Sequence, residues 1–217
     1  MLTKDKIIPS LIINIIVFTV TLGVVISYFF EEPSVLMKHG YETFRFFTTD
    51  SNILAAAASL ITAIAEIMLL RGRIKHIPKW IILLKYTGAV SVMLTFCTVA
   101  AFLVPVYGFA LVLGTYFHVH AAAPLMVLIS FAVFEREHKI TFPQTFLGML
   151  PMAIYGTVYL IEVVFIGESN GGWRDFYAFN TNGTWYITII IMLAAAFVIS
   201  LLTALFHNKL LKLSPKQ

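Results

Sequence analysis

Residues 47–70 read FTTDSNILAAAASLITAIAEIMLL: polar from Thr48 to Asn52, then a long apolar run whose single charge is Glu66. At about 1.5 Å per residue this stretch makes a helix roughly 36 Å long. The hydrocarbon core of a bilayer is about 30 Å thick, so a charge-poor run of this length reads as a transmembrane helix. The same criterion, carried outward along the chain, finds six spans: 7–30, 47–70, 80–105, 111–134, 144–167 and 183–206. No intervening stretch is long enough for a separate soluble domain. Residues 1–217 are therefore expected to form one all-α, polytopic membrane protein, a six-transmembrane-helix bundle.

Composition agrees. The 217 residues are 59% hydrophobic and 12% charged, with a mean hydropathy of +0.89, against about 25% charged residues in ordinary soluble domains. The net charge of +4 lies in short basic pieces between apolar runs. They read as topology determinants rather than as a nucleic-acid patch. Cys97 is the only cysteine, which excludes an intramolecular disulfide and any metal site built on cysteine pairs. The first apolar run is too long for a signal-peptide core and lacks a small-residue cleavage site, so it is expected to remain as a signal-anchor helix.

Orientation follows from Lys and Arg. One side of the threaded chain holds Lys4, Lys6, Arg71, Arg73, Lys75, Lys79, Arg136, Lys139, Lys209, Lys212 and Lys216; the other holds Lys38, Arg45 and Arg174. This asymmetry predicts that both termini are cytoplasmic. Lys85 falls inside the third span, at a depth similar to that of Glu66, and the two are expected to form a structural pair.

Threading brings polar side chains from several spans to one layer near the non-cytoplasmic surface. Thr48, Thr49, Asp50 and Asn52 enter at the start of the second span. His118 and His120 lie roughly 10–14 Å down the fourth, and Tyr159 and Glu162 about 8–12 Å from the end of the fifth. The loop 168–183, with Trp173, Arg174, Asp175, Asn180 and Asn182, covers that face. Each group also has a plain structural reading. Thr, Asp and Ser suit helix N-caps, and an acid suits the positive end of the dipole. A glutamate among Leu160, Ile161, Val163 and Val164 is protonated or paired, and can simply bond a neighbouring helix. His118 and His120 stand about 200° apart on an α-helix, so they cannot both face inward. His120 shares a face with Tyr116 and Pro124 and is taken as the inward one; an uncharged imidazole is a suitable general base in a membrane. Arg45 and Arg174 can bind an anionic headgroup or carboxylate, or remain solvated rim residues. The chain has no phosphate-cradling Gly-rich loop, GxSxG elbow or HExxH. His39, His76, His138 and His207 lie in loops or at helix ends, unlike facing haem ligands, and no cofactor or metal is expected.

Phe46-Phe47-Thr48-Thr49-Asp50-Ser51-Asn52, His120-Ala-Ala-Ala-Pro124, Pro151 with Tyr155 and Tyr159, and Gly167 with Trp173 and Phe176 to Phe179 resemble the bacterial branch of the androgen-induced-gene / androgen-dependent TFPI-regulating protein family. The likeness covers nearly the whole chain, though Asp50 departs from the family pattern. It implies a six-span membrane hydrolase, acting on fatty acid esters of hydroxy fatty acids in the better-known members, with a threonine nucleophile and a histidine base. The base maps onto His120 and the nucleophile onto Thr48, with Thr49 as the alternative. Asn52 or backbone amides would then stabilise an oxyanion, and Glu162 or Asp50 would orient the imidazole. The expected partners are a lipid or fatty-acyl ester and the bilayer, in a bacterial plasma membrane. The rival readings are a proton- or cation-coupled transporter using Glu162, Asp50 and His120, and a non-catalytic membrane scaffold.

Overall fold

The structure, a computed structural model, describes residues 4–30 and 40–212. Lys38, His39 and Lys216, which entered the sequence reading, lie outside the described residues. Five helices are long and apolar enough to cross a membrane: α1 (Lys4–Ser27), α2 (Phe47–Leu70), α3 (Lys79–Leu103), α5 (Phe142–Ile166) and α6 (Trp185–Lys212). A shorter apolar helix, α4 (His118–Phe134), lies between α3 and α5. No strand occurs among the described residues, and the chain is an all-helical integral membrane protein.

The largest departure from the expected spans is the start of α4. Helix was anticipated from residue 111, but Phe109–Val112 forms a 3-10 turn, bracketed by Gly108 at φ +79° and Gly114 at φ +58°. Both are left-handed conformations that glycine alone adopts without strain. One α-turn, Thr115–Phe117, then leads into a π-helical turn, His118–Ala122. His120 consequently sits close to the beginning of its helix.

The central element is α3, which packs against α2, α4, α5 and α6. Its Tyr86, Ala89, Val90 and Val92 are fully buried in the main core. Tyr86 donates its hydroxyl hydrogen to the Ser200 carbonyl at 2.7 Å, and Ser200 donates to the Thr145 carbonyl at 2.5 Å, which stitches α3, α6 and α5 together. Small residues let these backbones approach, as is usual in membranes. A Cβ on Gly88 would meet the Ala55 Cα at 3.1 Å, and one on Gly148 would collide with the Ser200 hydroxyl. The outward faces are apolar: Ile8, Ile12 and Ile16 of α1 and Ile187, Ile190 and Leu202 of α6 are exposed. Such a surface suits hydrocarbon and would be a liability in water.

At the Lys/Arg-rich end the polar contacts differ from expectation. Lys85 pairs with Glu135, at 3.7 Å, both side chains fully buried. Glu66 is an electrostatic neighbour of Lys85 without a direct ion pair, and accepts a hydrogen bond from Asn14 at 3.2 Å. Glu135 follows the π-helical turn Ser130–Phe134 with a non-helical backbone (φ −88°, ψ 45°), which directs its carboxylate back into the bundle. Loops at this end are tied together by Ile77 N–H to Glu137 at 2.7 Å and by paired bonds between Ile140 and Asn208.

Candidate functional site

The opposite end encloses a chamber of about 420 Å³. Phe46, part of its wall, is the N-cap of α2 and makes no side-chain cap. Thr48 and Thr49 follow in the first turn, and both line the chamber. No side chain of the Thr-Thr-Asp-Ser run is the N-cap, although Asp50 does stand in the first turn of α2, where an acid suits the helix dipole; Ser51 bonds Thr95 of α3 at 2.9 Å.

His120 lines the same chamber. Its Nδ1 lies 2.6 Å from the Leu111 carbonyl. A carbonyl only accepts, so Nδ1 carries the hydrogen, and in the neutral ring Nε2 is left with its lone pair. Tyr116, also in the lining, stacks on the imidazole with ring centroids 5.8 Å apart and planes within 11°. The 3-10 turn that shortened α4 thus has a chemical consequence: it places the Leu111 carbonyl where an orienting carboxylate would stand in a catalytic triad. Both hydroxyls and the imidazole border one space, and no hydrogen bond joins them directly.

His118 belongs elsewhere. Its Nε2 is 2.9 Å from the Thr21 hydroxyl, which ties α4 to α1 away from the chamber. Asn52 was expected to face a reacting oxygen, but its amide hydrogens are occupied by the Thr48 carbonyl at 2.8 Å and the Val119 carbonyl at 3.0 Å. It therefore joins the threonine-bearing turn to the residue preceding His120. This is a positioning contact, and Asn52 is not a donor to substrate here.

Neither carboxylate proposed to orient the imidazole does so. Glu162 lies in the π-helical turn Ile161–Ile166 and is absent from the chamber lining. Asp50 also lies outside the lining and is an electrostatic neighbour of Tyr177. Tyr159 donates to Asp175 at 3.0 Å and accepts from the Tyr177 N–H at 3.1 Å; it anchors the covering loop and does not face the chamber.

That loop is organised by Asp175, which the sequence placed in the covering loop without assigning it a role. Its carboxylate accepts the Phe179 and Asn180 N–H groups, each at 2.8 Å. The fold of this turn presents Arg174, Asp175, Phe176 and Tyr177 to the chamber. Burial pushes the Tyr177 phenol up to about 12, so it remains a neutral hydrogen-bonding group. Arg45 and Arg174 both border the opening. Arg45 is held by Glu42 at 3.3 Å and lies 6.0 Å over the Trp173 ring, so Trp173 supports the rim without lining it. Apolar wall is supplied by Phe46, Leu103, Leu111 and Val119. Among the described residues no group of three or more His, Cys, Asp or Glu could hold a metal ion. No family model, curated protein or solved structure matches this chain.

Proposed function

We propose that this protein is an intramembrane hydrolase of fatty-acyl esters, with Thr48 as nucleophile and His120 as general base. The observation that carries the reading is the shared chamber: Thr48, Thr49 and His120 border it, with Nδ1 of the imidazole committed to the Leu111 carbonyl. A threonine hydroxyl is a weak nucleophile without an adjacent base. An imidazole whose other nitrogen is fixed presents its lone pair in a defined direction.

In this mechanism Nε2 of His120 takes the Thr48 hydroxyl proton as the oxygen attacks the ester carbonyl. The tetrahedral intermediate collapses with loss of the alcohol, which receives that proton from His120. Water then attacks the acyl-threonine, giving its proton to His120, and the fatty acid leaves as Thr48 recovers its hydrogen. The oxyanion is stabilised by the backbone N–H of Thr48 itself at the positive end of α2, since the Thr49 and Asp50 N–H groups go to the Phe46 carbonyl at 3.0 and 3.3 Å and that of Phe47 goes to Tyr177. Phe46, Leu103 and Leu111 accommodate an acyl chain, and Arg45 and Arg174 attract an anionic head. The volume is in the range of small-ligand sites, about 300–1,000 Å³.

The topology that accompanies this reading is six spans, α4 being the short one, with both termini cytoplasmic in a bacterial plasma membrane and the chamber in the outer leaflet. The Lys and Arg asymmetry supports it. Proton- or cation-coupled transport is the second reading, but the lining residues all come from one end of the bundle, which favours a closed reaction chamber. Purified protein in nanodiscs, given long-chain acyl esters, decides between them. Fatty acid release is expected from the native chain, with losses of about 10²–10⁴-fold in Thr48→Ala and His120→Ala. Equal turnover by native and both variants would remove the hydrolase reading, and full activity in Thr48→Ala with none in Thr49→Ala would reassign the nucleophile.

A further inference from the structure

Far from the chamber, four helices meet at a fully buried polar node that the hydrolytic reading does not use. It comprises Ser10 and Asn14 of α1, Ser59 and Glu66 of α2, Lys85 of α3, and Ser130 with Glu135 at the end of α4. We infer that this node is a proton-binding site, with Glu66 holding the proton as a neutral carboxylic acid in the folded protein at neutral pH.

The two carboxyl groups have different surroundings. Glu135 Oε1 accepts from Ser10 at 3.3 Å, from Asn14 at 3.1 Å and from Ser130, and it faces the Lys85 ammonium at 3.7 Å. That is the environment of an ionised carboxylate. Glu66 receives the Asn14 amide on Oε2 and interacts with Ser10, feels Lys85 only at longer range than Glu135 does, and has a buried Oε1 with no hydrogen-bond partner, as Glu135 has a buried Oε2. One ammonium compensates one carboxylate. A second negative charge beside the first in a fully buried site is too costly, so the carboxyl without a direct ion pair takes up a proton instead.

Asn14 ties the node together. Its amide nitrogen serves both carboxyl groups, while its carbonyl accepts from Lys85. The opposite orientation would set a carbonyl against two carboxyl oxygens and an NH₂ group against an ammonium. Lys85 completes its shell with the Ser59 hydroxyl at 2.7 Å. The remaining ionisable neighbours act through Glu135. His207 of α6 is an electrostatic neighbour of Glu135 and of Arg136; its ring nitrogens face the Phe131 and His138 carbonyls at 3.2 and 3.0 Å. Arg136 is tied to the Leu210 carbonyl at 2.5 Å. None of these groups makes a contact with Glu66.

Infrared spectroscopy of the full chain in nanodiscs at neutral pH tests the inference. In the native-minus-Glu66→Gln difference spectrum, the lost signal is expected to be the carbonyl stretch of a protonated carboxylic acid, shifting in D₂O. Glu66→Met should lose the same band, and both variants should unfold within a few degrees of the native protein, since each replaces one neutral group by another. Loss of a carboxylate stretch in place of the acid band would overturn the assignment. So would failure of both variants to fold, because a neutral site tolerates a neutral substitute. A sodium- or potassium-dependent band position would point to a bound cation instead of a proton and would equally refute it.

Discussion

Replacing Lys85 by Met removes the ammonium that compensates Glu135 while keeping a side chain of similar length. Glu135 is fully buried and no other cation is paired with it among the described residues. It must then remain charged without a partner or take up a proton. The second course sets the ceiling. A glutamate in water is half-protonated near pH 4.3, so holding the proton at pH 7 costs about 2.7 units at roughly 1.36 kcal/mol each, or about 3.7 kcal/mol. This agrees with the 3–5 kcal/mol typical of breaking a buried pair from one side. At pH 5 the same step costs only about 1 kcal/mol. The sign is set by linkage: the folded variant binds a proton that its unfolded form releases, so its stability falls as pH rises. Comparison with the native protein cancels the proton on Glu66, which both share. Unfolding titrations in mixed micelles should show Lys85→Met less stable by about 3–4 kcal/mol at pH 7. The deficit should narrow by about 2–3 kcal/mol at pH 5, leaving a remainder from the lost bonds to Ser59 and Asn14. A deficit equal at both pH values, or below about 1 kcal/mol at pH 7, would refute the reasoning.

Asn52→Ala breaks the bond to the Val119 carbonyl that couples α2 to the residue preceding His120, and a second bond to the Thr48 carbonyl within α2. Bonds of this kind in membranes average about 0.6 kcal/mol each, so unfolding should weaken by about 1 kcal/mol. Ester turnover should fall ten- to hundredfold through misplacement of the reacting groups, and loss of stability without loss of rate would remove its positioning role. His118→Ala, which severs only the tie to Thr21, should cost about 1 kcal/mol in stability and leave turnover within about threefold of native, as read in the same ester assay that His120→Ala abolishes. Gly148→Val forces side-chain atoms into Ser200 and Val90 and should destabilise by about 1–3 kcal/mol, measured by thermal unfolding in detergent.

Hydropathy made most of the helices legible. The α2 span expected at 47–70 coincides with Phe47–Leu70, because its polar head and basic tail mark both ends. The start of α4 was not legible, since apolar residues from 111 onward look equally helical until Gly108 and Gly114 take left-handed backbone on either side of a 3-10 turn. The same turn hides the partner of His120. A main-chain carbonyl, that of Leu111, has no residue-type signature, so attention went to the nearby acids Asp50 and Glu162. Glu135 was concealed differently: it reads as a loop charge beyond a span, and only a π-turn folds it back to Lys85. Conversely, the convergence of Thr48, Thr49, Tyr116, Arg45 and Arg174 with His120 on one end needed nothing beyond direction of travel and rise per residue. The place of Asp175 in the covering loop was legible but its role was not, because a loop acid that organises backbone N–H groups resembles any solvated one.

The central claim is a threonine activated by His120, and the most direct measurement of it is covalent labelling. The native protein in nanodiscs is treated with a long-chain fluorophosphonate and the modified residue is located by peptide mass spectrometry. The account predicts one adduct, on Thr48, that disappears in His120→Ala and persists in His118→Ala. An adduct on a residue outside the chamber, or labelling of Thr48 that is unchanged when His120 is replaced, would contradict it.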